Sequence, residues 1–130
     1  MYLLDTNTII YFFKGLGNVA KILLSKAPED IAIPAITLYE LEVGIAKSSN
    51  PKKRKIQLES LVSRIAVLPF TEKEAEISAK IRAELEKQGT PIGPLDNLIA
   101  GIALYSNTIL VTHNLKEFSR VKGLIIEDWF

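Results

Sequence analysis

Short, wholly apolar runs alternate along the chain with longer segments in which apolar residues recur at helical spacing. Short runs bounded by turn residues are typical of buried strands, and the longer segments are typical of helices. We therefore predict strands at residues 2–5, 31–33, 65–69, 108–112 and 123–127. We predict helices at residues 7–14, 18–26, 34–47, 52–64, 71–87 and 95–106, with Pro34 opening the third of them.

One or two helices separate most of the predicted strands from the next strand in the chain. Such crossovers connect parallel strands, are right-handed, and place helices on both faces of the sheet. The pattern thus predicts an α/β fold: a three-layer α/β/α single domain with a central parallel sheet of about five strands. A length of 130 residues fits one domain spanning residues 1–130.

Composition narrows the chemistry that this chain can perform. It has no cysteine and one histidine, His113, which excludes thiolate zinc sites, cysteine nucleophiles and histidine-rich metal centres. The net charge of +1 gives no general affinity for nucleic acid. No apolar run approaches the roughly 18 residues of a membrane span, and we expect a cytoplasmic protein with no membrane partner.

Asp5, Glu40 and Asp96 each interrupt an otherwise apolar stretch. Taken singly, each has a structural explanation: Asp5 as a helix cap, Asp96 in a first helical turn, and Glu40 facing solvent. If they converge, each pair some 4 Å apart repels by about 4 kcal/mol at an effective dielectric constant of 20. Either the carboxylates take up protons or a cation neutralises them. Oxygen ligands without histidine or cysteine favour Mg²⁺ or Mn²⁺.

The segments around these acids resemble those of a known family, in the same order along the chain. They are Leu3–Asn7, Thr37–Leu41 with Gly44, Ile92–Ala100, Leu110–Phe118 and Ile126–Trp129. On these segments the chain resembles the PIN-domain ribonucleases, and within them the VapC-type toxins of toxin–antitoxin pairs. Because the matches extend from one end of the chain to the other, the resemblance is more specific than any single motif.

The resemblance implies an endoribonuclease that depends on Mg²⁺, with Mn²⁺ able to substitute, and that hydrolyses RNA phosphodiester bonds by metal-activated water. It implies that Asp5 and Asp96 are the metal ligands and that Glu40 completes the acidic core. It further implies a homodimer, and inhibition by a cognate antitoxin protein that inserts into the active-site groove.

The chain departs from the family pattern at Asn114, where many members carry a fourth acid. An amide oxygen can bind a hard cation but adds no charge, and Glu117 can supply a carboxylate nearby. We therefore predict a catalytic set of Asp5, Glu40, Asp96 and Glu117. Supporting roles are expected for Asn7, Thr112 and Asn114, beside Asp5 and at the end of the fourth strand.

A compact basic run, Lys52, Lys53, Arg54 and Lys55, is a candidate RNA-binding surface. A solvated segment leading into a helix is the alternative explanation, because a short run of like charge is compatible with either.

Three other functions remain to be compared with the nuclease. A haloacid-dehalogenase-like phosphohydrolase requires a second acid where Asn7 stands. A response receiver requires a phosphoacceptor acid after the third strand, where the chain has Leu68-Pro69-Phe70. A PIN fold that binds RNA or protein with weak or no catalysis is the main alternative, because Asn114 replaces an acid.

Overall fold

A parallel sheet forms the centre of the computed structural model, which describes all 130 residues. Its five strands are arranged in the order β3-β2-β1-β4-β5, and each neighbouring pair is parallel. The strands are β1 (Tyr2–Leu4), β2 (Ile31–Pro34), β3 (Ala66–Leu68), β4 (Ile109–Val111) and β5 (Ile126–Glu127). This confirms the predicted α/β class with a five-stranded parallel sheet.

Seven α-helices and one short 3₁₀ turn at Pro28–Asp30 connect the strands. The helices are α1 (Thr6–Lys14), α2 (Val19–Leu24), α3 (Ala35–Ala46), α4 (Pro51–Val62), α5 (Glu72–Lys87), α6 (Pro94–Ser106) and α7 (Leu115–Phe118). None of them is long and apolar enough to cross a membrane.

Alternation of side chains along the strands divides the core into two clusters, one on each face of the sheet. Leu3, Ala32 and Leu110 join residues of α5, α6 and α7 in one cluster. Leu4, Ile33 and Val111 join residues of α1, α2, α3 and α4 in the other. Because both faces are covered by helices, the strands are apolar throughout, which is why their runs are visible in the sequence.

Three assignments differ from the structure, apart from shifts of one or two residues at the ends of other elements. Pro34 ends β2 and precedes α3, so it does not open that helix; its extended backbone still accommodates a strand. Helix α7 was not predicted, because a four-residue helix is too short to show periodicity. The fifth strand is shorter than predicted, since only Ile126–Glu127 pairs with β4.

The strand order places β1 and β4 side by side at the middle of the sheet. The chain builds β2 and β3 on one side of β1, and β4 and β5 on the other. In open α/β sheets, the crevice at such a reversal, past the carboxyl ends of the strands, is the usual ligand site. The residues directly following β1 and β4 are Asp5 and Thr112.

Candidate active site

Asp5 leaves β1 as the N-cap of α1 and is 4% exposed. Its Oδ1 accepts hydrogen bonds from the backbone N–H of Thr8, at 3.0 Å, and from the Thr8 hydroxyl, at 2.7 Å. The Thr8 hydroxyl also lies 3.2 Å from the carbonyl oxygen of Val111, which ties the start of α1 to β4. These contacts fix the orientation of the Asp5 carboxylate, and both bonds from Thr8 engage the same oxygen.

Glu40 lies on α3 and is held by a residue of α1. The Thr6 hydroxyl donates to Glu40 Oε1 at 2.6 Å and lies 3.2 Å from the hydroxyl oxygen of Thr37. Thr37 is fully buried and precedes Glu40 by three residues, so both lie on the same side of α3. The Glu40 carboxylate is half-buried and faces Asp5 across these threonines.

Asp96 lies in the first turn of α6 and is half-buried. The preceding segment allows a close approach, since a Cβ placed on Gly93 would lie 3.4 Å from Asp96 Oδ2. The next residue, Asn97, anchors this turn by donating from its amide to the backbone carbonyl of Ser78 on α5, at 2.8 Å. Asp96 is therefore held by the backbone of a well-anchored helix start.

The segment after β4 brings Glu117 to the same place. The Asn114 amide nitrogen donates to Glu117 Oε2 at 2.9 Å, and the Asn114 backbone N–H donates to the Thr112 hydroxyl at 3.0 Å. The expectation that Glu117 supplies a carboxylate near this point agrees with that geometry. The Asn114 side chain positions Glu117, because its amide nitrogen is already bonded to the Glu117 carboxylate.

The acids influence one another's protonation. The pKa of Asp96 is raised to about 6, first by burial and then by the charges of Asp5, Glu117 and Glu40, with a further contribution from a hydrogen bond to Glu117. The pKa of Asp5 is also raised, mainly by burial, although hydrogen bonds from Thr112 and Thr8 oppose this. The four predicted acids thus lie close enough to interact, although they come from distant parts of the sequence.

The donor set fits a small divalent cation with oxygen ligands. No group of three or more acidic or histidine side chains already converges as a complete metal site. Mg²⁺, however, is commonly held by one or two carboxylates and keeps several of its waters. A bound cation would relieve the repulsion among the carboxylates, which contributes to the raised pKa of Asp96. Asp5 and Asp96 could each supply one oxygen.

Other candidate residues lie apart from the acids or are engaged elsewhere. Asn7 is exposed on the first turn of α1. His113 pairs with Asp128, at 2.9 Å, and stacks on the Phe130 ring. Of the basic run, Lys52, Lys53 and Arg54 are exposed, whereas Lys55 donates to both carboxylate oxygens of Glu42, at 2.8 and 2.7 Å. The Lys55 charge thus joins α4 to α3.

Two contributions to this site were not recognised in the sequence. Thr6, which follows Asp5 in the chain, bonds Glu40. Thr37 lies beside Thr6 because α1 packs against α3. The only signal for it was a polar residue three positions before Glu40.

Comparison with known proteins identifies the class to which this site belongs. The PIN domain family matches residues 2–124. The tRNA(fMet)-specific endonuclease VapC of Salmonella typhimurium is 39% identical over 128 residues, covering 98% of this chain and 97% of that protein. The protein of the same name from Shigella flexneri is 40% identical over the same length, with the same coverage.

Solved structures agree with the sequence comparison. The VapBC2 complex of Rickettsia felis, bound to a DNA fragment from its promoter, contains a chain that superposes with a TM-score of 0.92 at 37% identity. That match covers 99% of this chain and 98% of the other. DNA-bound VapBC of Salmonella typhimurium gives a TM-score of 0.92 at 38% identity, with the same coverage. This chain therefore belongs to the PIN-domain family. Within that family it is a VapC-type nuclease, the toxin component of a toxin–antitoxin pair.

Proposed function

We propose that this protein is a divalent-metal-dependent endoribonuclease that works with Mg²⁺ or Mn²⁺ at the site of Asp5, Glu40, Asp96 and Glu117. The observation that carries the proposal is the convergence of four carboxylates from separate elements, where the partial burial of Asp96 and the charges of its three acidic neighbours raise its pKa. A phosphodiester is itself anionic, so it would be repelled by this cluster unless a cation lay between them. A cation is therefore part of the proposed site.

In this proposal Asp5 and Asp96 hold the metal. Thr8 engages Asp5 Oδ1 and thereby fixes the direction in which the carboxylate is presented to a cation. Glu40 and Glu117 are oriented by the neutral donors Thr6 and Asn114, which fix them without cancelling their charge. We assign these two acids to binding through water, since long carboxylate side chains with one oxygen engaged leave the other free.

A bound divalent cation would supply Lewis-acid polarisation of the phosphoryl oxygen and a lowered pKa for a water molecule. The chain's own residues then have separate tasks. Asp5 and Asp96 would hold the cation at the ends of rigid elements, and Glu40 and Glu117 would accept hydrogen bonds from its water molecules. The neutral threonine and asparagine donors keep those carboxylates in place during the reaction.

For the substrate, we infer that initiator tRNA is the first RNA to test, since two relatives at 39% and 40% identity are named tRNA(fMet)-specific endonucleases. The partner in this proposal is a cognate antitoxin, because the VapBC structures that this chain resembles are toxin–antitoxin assemblies. A homodimer, active in the cytoplasm on cellular RNA, completes the proposal. Light scattering of the isolated protein tests the dimer.

The activity is tested with purified, antitoxin-free protein, an initiator tRNA transcript and total cellular RNA, in Mg²⁺ or Mn²⁺. We expect discrete fragments that disappear in EDTA. The Asp96→Asn variant should cleave about 100-fold more slowly. Loss of one group that stabilises charge in a transition state typically lowers the rate by this factor. Asp30→Asn is the matched control, because Asp30 is an exposed acid in the turn before β2.

Cleavage that survives EDTA, or equal rates for Asp96→Asn and Asp30→Asn, would refute the metal site. A folded protein that binds these RNAs but leaves them intact would instead support the RNA-binding PIN module.

A further inference from the structure

A groove of about 280 Å³ lies between α1, α3 and α4, directly beside the acidic site. Glu40 forms part of its wall, so the groove adjoins the acidic site at that residue. Its lining is largely apolar and includes Ile10, Phe13 and Ile45. A substrate whose phosphate lies at the acids would therefore place a neighbouring group over this groove.

Gly44, in α3, lines the groove and has no evident role in folding. A Cβ added there would meet no heavy atom within 4 Å, and its backbone is not in the left-handed region. Glycine inside a helix is about 1 kcal/mol less favourable than alanine. Since neither packing nor backbone geometry requires glycine, the space left by its missing side chain is useful only to something that enters the groove.

Two cations at the groove are unpaired. Lys14 and Arg54 both line it, and neither forms an ion pair with a carboxylate. Arg54 donates only to the neutral side chain of Gln57, at 3.2 Å. Lys55, the next residue, is held by Glu42, so the two adjacent cations have different tasks. Unpaired cations beside an apolar wall suit an anionic ligand that also has a flat apolar face.

We propose that this groove binds the nucleoside adjacent to the phosphate held at the acidic site. This rests on the proposed nuclease function and deepens it by assigning a base-binding subsite. The base lies over Gly44 and against Phe13, and the phosphate on its far side meets Arg54 and Lys14. The combination of aromatic ring, missing side chain and unpaired cations fits single-stranded RNA better than a neutral apolar peptide segment.

Gly44→Leu tests the subsite by filling it, and Gly44→Ala is the matched control that restores a helix-favouring residue without filling the groove. Both are made in the Asp96→Asn background, so that RNA stays intact. The probes are a fluorescein-labelled single-stranded oligoadenylate and an oligomer of equal length and charge with abasic ribose at every position. Fluorescence anisotropy gives Kd, and thermal unfolding reports folding.

We expect Gly44→Leu to weaken oligoadenylate binding by about tenfold, the scale of one lost base–aromatic stacking contact. Its affinity for the abasic oligomer should stay within about twofold of that of Gly44→Ala, because phosphate contacts are retained. Equal losses on both oligomers, or no loss on either, would overturn the proposal. A loss confined to binding of the antitoxin would also overturn it and assign the groove to that protein.

Failure of the base-binding subsite can be distinguished from failure of the proposed nuclease function, because the binding measurement requires no cleavage. If wild-type protein cleaves RNA but Gly44→Leu binds both oligomers normally, the subsite fails alone. If wild-type protein cleaves nothing but the base-dependent loss appears, the nuclease proposal fails and the groove remains a nucleoside site.

Discussion

Single residues in this site serve structure and chemistry at once. Asp5 caps α1 through Oδ1, and its carboxylate also lies close enough to Asp96 to raise the pKa of that acid. Thus the capping explanation of Asp5 is confirmed, and it does not compete with a role in metal binding. Asn114 likewise affects both structure and charge. Its amide donates a hydrogen bond to Glu117, whereas a carboxylate at this position would repel Glu117.

Thr6 provides a test of how much orientation matters at the residue scale. Thr6→Val removes the donor to Glu40 but keeps the shape of the side chain, so Glu40 loses its fixed position. We expect kcat for RNA cleavage to fall about tenfold, typical of a lost contact that orients a ligand. Mn²⁺ binding, measured by calorimetry, should weaken in parallel.

Thr6→Ser keeps the hydroxyl and is expected to restore both values to within about twofold of wild type. If Thr6→Ser is as defective as Thr6→Val, then packing of the threonine methyl group matters and the hydrogen bond does not.

At the scale of elements, two helical glycines have opposite surroundings. Gly101 on α6 faces α5 so closely that an added Cβ would clash with Ser78 Oγ and lie 3.1 Å from the carbonyl oxygen of Glu74. Gly44 on α3 has open space. The close α5–α6 approach matters for the site, because Asn97 bonds the backbone of Ser78 and thereby holds the turn that carries Asp96.

We therefore expect opposite effects of the same substitution on the free energy of unfolding. Gly101→Ala should destabilise the protein by about 1–3 kcal/mol through overpacking against α5. Gly44→Ala should stabilise it by up to about 1 kcal/mol through helix propensity. Urea denaturation of both variants measures this. A stabilising Gly101→Ala would mean that α5 and α6 move apart easily, against the tight contact described.

On the scale of the whole molecule, the acids make stability depend on pH. The pKa of Asp96 is about 6 in the folded protein, against 3.8 for an ordinary aspartate. Between these values the folded state binds more protons than the unfolded state, so stability decreases as pH rises. The raised pKa of Asp5 acts in the same direction.

We expect metal-free protein to lose about 1–3 kcal/mol of stability between about pH 4 and pH 7 from Asp96, after allowance for solvent screening. Asp96→Asn removes this contribution, so its stability should fall less over the same range. Urea denaturation in EDTA measures the difference. Parallel profiles of stability against pH for the two proteins would show that folding does not raise the pKa of Asp96.

Adding Mg²⁺ at neutral pH should raise the Tm of wild-type protein, by an amount equivalent to about 2.7 kcal/mol at 100 times Kd. Asp96→Asn should respond much less, because a principal ligand and its charge are lost. Equal shifts in Tm would place the bound metal elsewhere on the molecule.

The fold class and most of the elements could be predicted from the sequence, because strands buried on both faces and amphipathic helices leave local patterns. The sequence also indicated the acids individually, since charge within an apolar stretch is visible without a structure. The start of α5 has such a local signal too, a threonine followed three residues later by a glutamate, and Glu74 Oε2 accepts from the Thr71 N–H and hydroxyl.

How those acids are held could be seen only in the folded chain. Thr6 and Glu40 are 34 residues apart, and the bond between them exists because α1 packs beside α3. The division of the basic run, with Lys55 bonded to Glu42 and Arg54 at the groove, likewise depends on where α4 meets α3. Local sequence specifies local backbone, whereas contacts between distant side chains are set by the packing of whole elements.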